Sequence, residues 1–224
     1  MGVLVDALSK LERIETPRDY IGASSVGDEC QRKIWFQYTG AQANKVVGRQ
    51  RMIYQTGHLL EKMILDDLEL AGFLSERPCE GNNNLAVSCK GFEVFRGHMD
   101  GLIAINGVDY ILDIKTANDA SFNRFVKHGL RSWSESYHDQ LQAYMGMTGF
   151  KHAILLCLNK NTGEMHEETV NFNVVHYEFL INKAQQIAQA KSPPPRVSAN
   201  PMFFKCKMCS YSEVCHNGGS KESS

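Results

Sequence analysis

The sequence predicts an α/β fold: a mixed central sheet flanked by helices, with a C-terminal cysteine region closing onto an N-terminal helix. Three observations predict it. Asn106-Gly107 stands between two apolar runs, the strongest short-range signal for a hairpin with a type I′ turn. Strand-like runs alternate with helical patterns on both sides of that hairpin. After Pro193-Pro194-Pro195 the composition changes to a short polar segment with three cysteines.

The chain has 224 residues, ample for a real core in one domain or one domain with a small appendage. The net charge is −1, which excludes a global basic field, so nucleic acid would be met through a local patch. No apolar run is long enough for a bilayer, and the N-terminus lacks a charged-then-apolar signal pattern. The expectation is an intracellular, cytoplasmic protein with no membrane partner. There are seven cysteines, an odd number unevenly spread. In a reducing compartment they read as buried apolar residues or metal ligands.

Residues 3–14 have helical periodicity and are expected to pack on the body, with Thr16-Pro17 ending the helix. Ser24 and Ser25 offer an N-cap for a helix over 26–38, with Asp28 and Glu29 in its first turn and Cys30 on it. Arg32 and Lys33 follow, open to phosphate or simply a solvated face. The stretch 41–53 is polar and basic, with Arg49 and Arg51 as candidate phosphate contacts. Residues 56–71 form an amphipathic helix with Leu59, Leu60, Met63, Ile64 and Leu68 as its stripe and Gly72 as its C-cap. His58 and Glu61 lie on that helix as surface residues or ligands.

Residues 85–89 and 92–96 read as strands joined at Lys90-Gly91, and the hairpin after them is expected to continue the same sheet. A two-residue turn fixes its register: Ile105 opposes Val108, Leu102 opposes Ile111, and Asp100 opposes Asp113. Side chains alternate faces along a strand. One face is then Ile103, Ile105, Val108, Tyr110, Leu112 and Ile114. The other gathers Asp100, Asp113 and Lys115. Like charges opposed in this way destabilise a sheet. A divalent cation between them reverses that sign, and oxygen ligands suit Mg²⁺ or Mn²⁺.

Residues 121–129 predict a short helix with Arg124, Lys127 and His128 as a basic edge. On a helix over 135–147, Gln140 and Tyr144 are one turn apart on one face. Residues 152–159 read as a buried strand containing Cys157, and 165–172 as a second strand after a turn at Asn161-Thr162-Gly163. A long helix over 174–190 stops at the prolines. Beyond them Cys206, Cys209 and Cys215 form C-x₂-C-x₅-C, and the tail from Gly218 frays. Three thiolates at this spacing suit a zinc site or an iron–sulfur cluster. Cys30 is the best fourth ligand and His216 the alternative. Cys79 and Cys89 have no such spacing and read as ordinary.

Taken together, these residues resemble the RecB-like branch of the PD-(D/E)XK nucleases, and most of all the CRISPR-associated iron–sulfur exonucleases and their phage relatives. The motifs are Gly57 to Glu61, Gly97-His98-Met99-Asp100, Asp113-Ile114-Lys115 and Gln140 to Tyr144, with Cys30 early and Cys206, Cys209 and Cys215 late. They span the chain from Ser24 to Cys215. Two departures from the pattern stand out: Glu61 occupies a position where histidine is frequent, which keeps His58 as a second ligand candidate, and Asp113 replaces the commoner glutamate.

The resemblance implies a restriction-endonuclease-like core over 56–192, a helical region over 1–55 carrying one cluster cysteine, and a cluster region over 193–224. It implies a Mg²⁺- or Mn²⁺-dependent DNA exonuclease. Glu61, Asp100, Asp113 and the Ile114 carbonyl would hold the cation, and Lys115 would act on the attacking water or the phosphate. Gln140 and Tyr144 would position these groups. The four cysteines would hold a [4Fe-4S] cluster, with Zn²⁺ as the alternative. The implied partner is DNA, single-stranded or with accessible ends, alone or within a recombination or CRISPR adaptation complex. An adaptor with a vestigial site is the competing reading.

Overall fold

The computed structural model describes residues 2–13, 18–78 and 85–217. The Thr16-Pro17 stop, Cys79 and the tail from Gly218 lie outside the described residues. The chain divides into two compact units: Met1–Ile21, Asp28–Thr56 and Gln185–Ser224 form one, and Gly22–Gly27 with Gly57–Ala184 the other.

The larger unit is built on a five-stranded mixed sheet. Its order is Met165–Asn171, His152–Asn159, Val108–Ala117, Gly101–Ile105, Leu74–Glu76. The hairpin forms as counted, with Asn106 at φ 53° and Gly107 at φ 78°, as a type I′ turn requires. Ile105 pairs with Val108 and Leu102 with Ile111. Val108–Ala117 and His152–Asn159 pair in parallel. A parallel pair needs a long crossover. Here it is made by the helices Asp119–His128, Leu130–Trp133 and Glu135–Thr148.

The predicted apolar face packs on the helix Gly48–Leu70. Ile64 and Leu65 meet Ile103, Leu112, Ile114, Ile154 and Leu158, with Leu60 and Leu68 at the margin. The buried stripe is therefore rotated from the expected one: Leu59 is 70% and Met63 43% exposed. Val108, at the hairpin tip, is also exposed.

Other expectations need correction. The strands Ala86–Cys89 and Phe92–His98 form an antiparallel pair, but they belong to a different sheet from the hairpin. The chain bends at Asp100 between the two. The helix expected from residue 56 begins at Gly48. The N-terminal helix is only Val3–Ser9 and buries none of its residues; Glu12–Arg13 instead pairs with Val46–Val47. Residues 26–38 are two pieces, Ala23–Val26 and Gln31–Tyr38, with Ser24 and Ser25 inside the first rather than capping the second.

Candidate active site

Asp113 sits in the middle of the sheet, on Val108–Ala117, and is wholly buried at 0% exposure. A buried carboxylate must be paired and hydrogen-bonded to be tolerated. Gln140 Nε2 donates to its Oδ1 at 3.0 Å. Lys115, two residues on and so on the same face, brings Nζ within 2.6 Å of Oδ2. That oxygen is buried yet takes no well-directed hydrogen bond among the described residues.

Asp100 lies one step beyond the last ladder pair, Gly101 with Leu112. Its Oδ2 accepts from Ile114 N at 2.8 Å, which fixes the carboxylate beside Asp113. Burial, and then the Asp113 charge, push the Asp100 carboxyl up to about 8. Burial also raises Glu61, against the opposing pull of His58 and Lys115. Burial alone would lower Lys115, but Asp113 and Asp100 outweigh it, so its ammonium is held above the usual lysine range. The register counted from the sequence therefore brings the two acids and the lysine together, and the Glu61 charge is felt there too.

Gln140 also donates to Tyr144 Oη at 2.8 Å, and Tyr144 Oη donates to the His98 carbonyl. Both side chains are buried, so the pair one turn apart is an inward network rather than a surface pair. His58 is 66% exposed and turns Nδ1 toward Glu61 Oε2 at 3.7 Å. Among the described residues, the oxygens of Glu61, Asp100 and Asp113 do not all lie within 4.8 Å of one another.

Sequence reading missed Tyr137. Its ring centroid lies 5.1 Å from Lys115 Nζ, a cation–π distance. It precedes Gln140 by three residues on the same helix, so the spacing held the signal.

Arg124 and Lys127 are exposed on Asp119–His128. In the smaller unit Arg49 is exposed. Arg51, read as a phosphate contact, is instead buried at 9% exposure and donates to Gln55 Oε1 at 2.8 Å. Arg32, open to phosphate or solvent in the sequence, donates to the Pro194 carbonyl, and Lys33 pairs with Asp28.

The four cysteines share the smaller unit. Cys30 caps Gln31–Tyr38 rather than lying within it, and Asp28 Oδ1 accepts from its N–H. The C-terminal segment closes on that helix. Tyr211 stacks on Phe36 with centroids 6.0 Å apart, Asn44 Nδ2 donates to Ser212 Oγ, and Trp35 Nε1 donates to the Ala190 carbonyl. Burial, then the neighbouring Cys215 and Cys30, raise the Cys206 thiol. Burial raises Cys209 too, with Cys30 adding to it. His216 Nε2 is buried without a hydrogen-bond partner among the described residues.

No protein-family model and no curated protein matches the chain. Solved structures do. The alkaline exonuclease LHK-Exo from Laribacter hongkongensis superposes with a TM-score of 0.57 at 13% identity, over 77% of this chain and 87% of that one. A second structure of LHK-Exo is a complex with dAMP. A phage-related exonuclease from Haemophilus somnus 129PT gives 0.52 at 12% identity, over 75% and 92%. SSO0001 gives 0.58 at 16% identity, over 96% of each chain. At these identities the likeness is one of fold. This chain shares its mixed α/β architecture, a mixed sheet flanked by helices, with the Laribacter and Haemophilus exonuclease structures.

Proposed function

We propose that the protein is a metal-dependent DNA exonuclease, hydrolysing phosphodiester bonds in single strands or from accessible ends. The observation that carries this reading is Asp113: fully buried, facing Asp100, with Lys115 against an oxygen that lacks a well-directed hydrogen bond among the described residues. The shared fold with two exonucleases, one also solved with dAMP, supports it.

The residues fit a hard divalent cation. The donors are carboxylates, and the raised Asp100 pKa reflects burial and a repulsion that a cation relieves. Asp100, Asp113, Glu61 and the Ile114 carbonyl are the residues to hold Mg²⁺ or Mn²⁺, with His58 a secondary candidate. Mg²⁺ keeps several waters, so it does not need all three acids in direct contact. Such an ion supplies an activated water at neutral pH and offsets charge building on the phosphate.

The side chains then have separable tasks. Gln140 holds Asp113 Oδ1 and leaves Oδ2 turned to Lys115. Tyr144 holds Gln140. Lys115, charged throughout the neutral range, donates to the attacking water or to a phosphate oxygen. Arg124 and Lys127 meet backbone phosphates.

We read Cys30, Cys206, Cys209 and Cys215 as the ligands of a structural [4Fe-4S] cluster. Three thiolates at the C-x₂-C-x₅-C spacing and Cys30 from the same unit make a four-sulfur set, with Zn²⁺ the alternative occupant. The biological setting, phage recombination or CRISPR adaptation in the host cytoplasm, rests on the sequence resemblance. The test is anaerobic purification, metal analysis and digestion of end-labelled single- and double-stranded DNA by one sample. Shortening from the ends with Mg²⁺ or Mn²⁺, abolished by EDTA, is expected. Intact substrate under all conditions contradicts the proposal.

A further inference from the structure

We propose that His138, Asp139 and His176 form a second metal site, for a borderline divalent ion of the Zn²⁺ type. One ligand atom from each residue lies within 4.8 Å of the others, the single such group among the described residues. His176 Nε2 is 2.6 Å from Asp139 Oδ1, and His138 Nδ1 is 3.7 Å from the same oxygen. Asp139 is nearly fully buried at 4% exposure, and both histidines are half-buried. His138 Nδ1 is itself buried with no hydrogen-bond partner among the described residues. A buried ring nitrogen left without a partner is the position a metal ion satisfies.

The surroundings hold the trio in place. Gln142 Nε2 donates to the Asn171 carbonyl, and Gln142 Oε1 accepts from Asn173 N. Asn173 Oδ1 in turn accepts from His176 N, which sets the first turn of the helix Val174–Gln189. The Gln142 amide lies 3.5 Å from His138 Nε2, too long to fix that ring's tautomer. In the Nε2–H tautomer Nδ1 presents a lone pair. Gly27 closes another side: a Cβ there would stand 2.9 Å from Asp139 Cβ. The result is a small, walled group at the meeting of two helices.

Its chemistry differs from that of the acidic site. Two imidazoles and one carboxylate suit zinc and its neighbours, whereas Mg²⁺ and Mn²⁺ prefer all-oxygen sets. Ligands of a tetrahedral zinc stand roughly 3.3 Å apart, from bonds of about 2.0–2.1 Å. The His138–Asp139 distance is near that, and the His176–Asp139 pair needs only to open slightly. Burial works against the Asp139 charge, but the neighbouring His138 ring and the His176 hydrogen bond outweigh it and hold the carboxyl below its usual range. It is in the ligand form at neutral pH. Asp139 and Gln140 are adjacent, yet consecutive helical residues point about 100° apart. Gln140 faces Asp113 while Asp139 faces His176. An ion here pins the helix that carries Gln140 and Tyr144 to the start of the next.

The test is Zn²⁺ titration of the holo-protein against a chromophoric chelator, for the unsubstituted chain and for His138→Gln, His176→Gln and Asp139→Asn. Each variant is expected to bind one Zn²⁺ fewer per chain. Metal held by the cysteines is common to all four proteins and cancels in the difference. Equal stoichiometry in all four overturns the proposal and leaves the trio a hydrogen-bonded staple. Should the variants fail to fold, the unsubstituted chain decides by histidine nitrogen NMR at saturating Zn²⁺. Of its eight histidines, His138 and His176 are expected to show shifted ring resonances, and unmoved resonances overturn the site.

Discussion

The Tyr144 ring occupies the space a side chain on Gly97 would need. A Cβ at Gly97 would stand 2.4 Å from Tyr144 Cε1 and 2.9 Å from Ala23 Cβ. The first residue of the Gly97-to-Asp100 motif is thus a packing requirement of the last residue of the Gln140-to-Tyr144 motif. Gly97→Ala is expected to cost about 1–3 kcal/mol as an overpacked site. Tyr144 is also expected to loosen its hold on Gln140, lowering turnover. Urea midpoints check the first part and end-labelled DNA digestion the second. Unchanged stability would show that the ring moves aside freely.

Lys115 neutralises a carboxylate that water does not reach. Lys115→Ala leaves the Asp113 charge uncompensated and is expected to cost about 3–5 kcal/mol in metal-free buffer. Mg²⁺ takes over part of that compensation. The melting temperature of the variant should therefore rise more on Mg²⁺ addition than that of the unsubstituted chain, while turnover stays low. Equal rises would mean that the cation and the lysine do not serve the same carboxylates.

Asp100 gives a pH dependence whose sign follows from its environment. Burial and Asp113 raise its folded-state pKa to about 8, against about 3.9 in the unfolded chain. Between those values the folded state binds more protons than the unfolded one. This group's contribution to stability therefore falls as pH rises through that window and levels off above it. A divalent cation relieves the repulsion, so the Mg²⁺-induced rise in melting temperature should grow from pH 5 toward pH 8, in line with these pKa values. A rise independent of pH over that range would contradict the arrangement of acids described above.

The cysteines predict a colour as well as a stability. Cys209→Ala is expected to purify as a colourless protein with a lower melting temperature, because a metal centre joining distant segments contributes directly to folding. Absorption spectra and iron analysis check this. A brown, fully active variant would remove Cys209 from the ligand set.

Much of the acidic site was legible because it depends on local rules. Asn106-Gly107 permits only a tight turn, and counting outward from it places Asp100 opposite Asp113. The long-range features were not legible. His176 meets Asp139 only because two helices cross, and neither helix pattern carries that fact. Arg51 reads as a surface cation, yet on the helix that begins at Gly48 it is buried and donates to Gln55 one turn on. The division of the strands among separate sheets was also hidden, since apolar alternation marks strands without saying which sheet they join. The N-terminal apolar residues Val3, Leu4 and Leu8 mimic a core stripe but remain exposed.

The most direct measurement is digestion of end-labelled DNA by Asp113→Ala in Mn²⁺, beside the unsubstituted chain and an EDTA control. The account predicts a folded variant with no detectable cleavage, against progressive end-shortening by the unsubstituted protein. Cleavage at the unsubstituted rate by Asp113→Ala would contradict it.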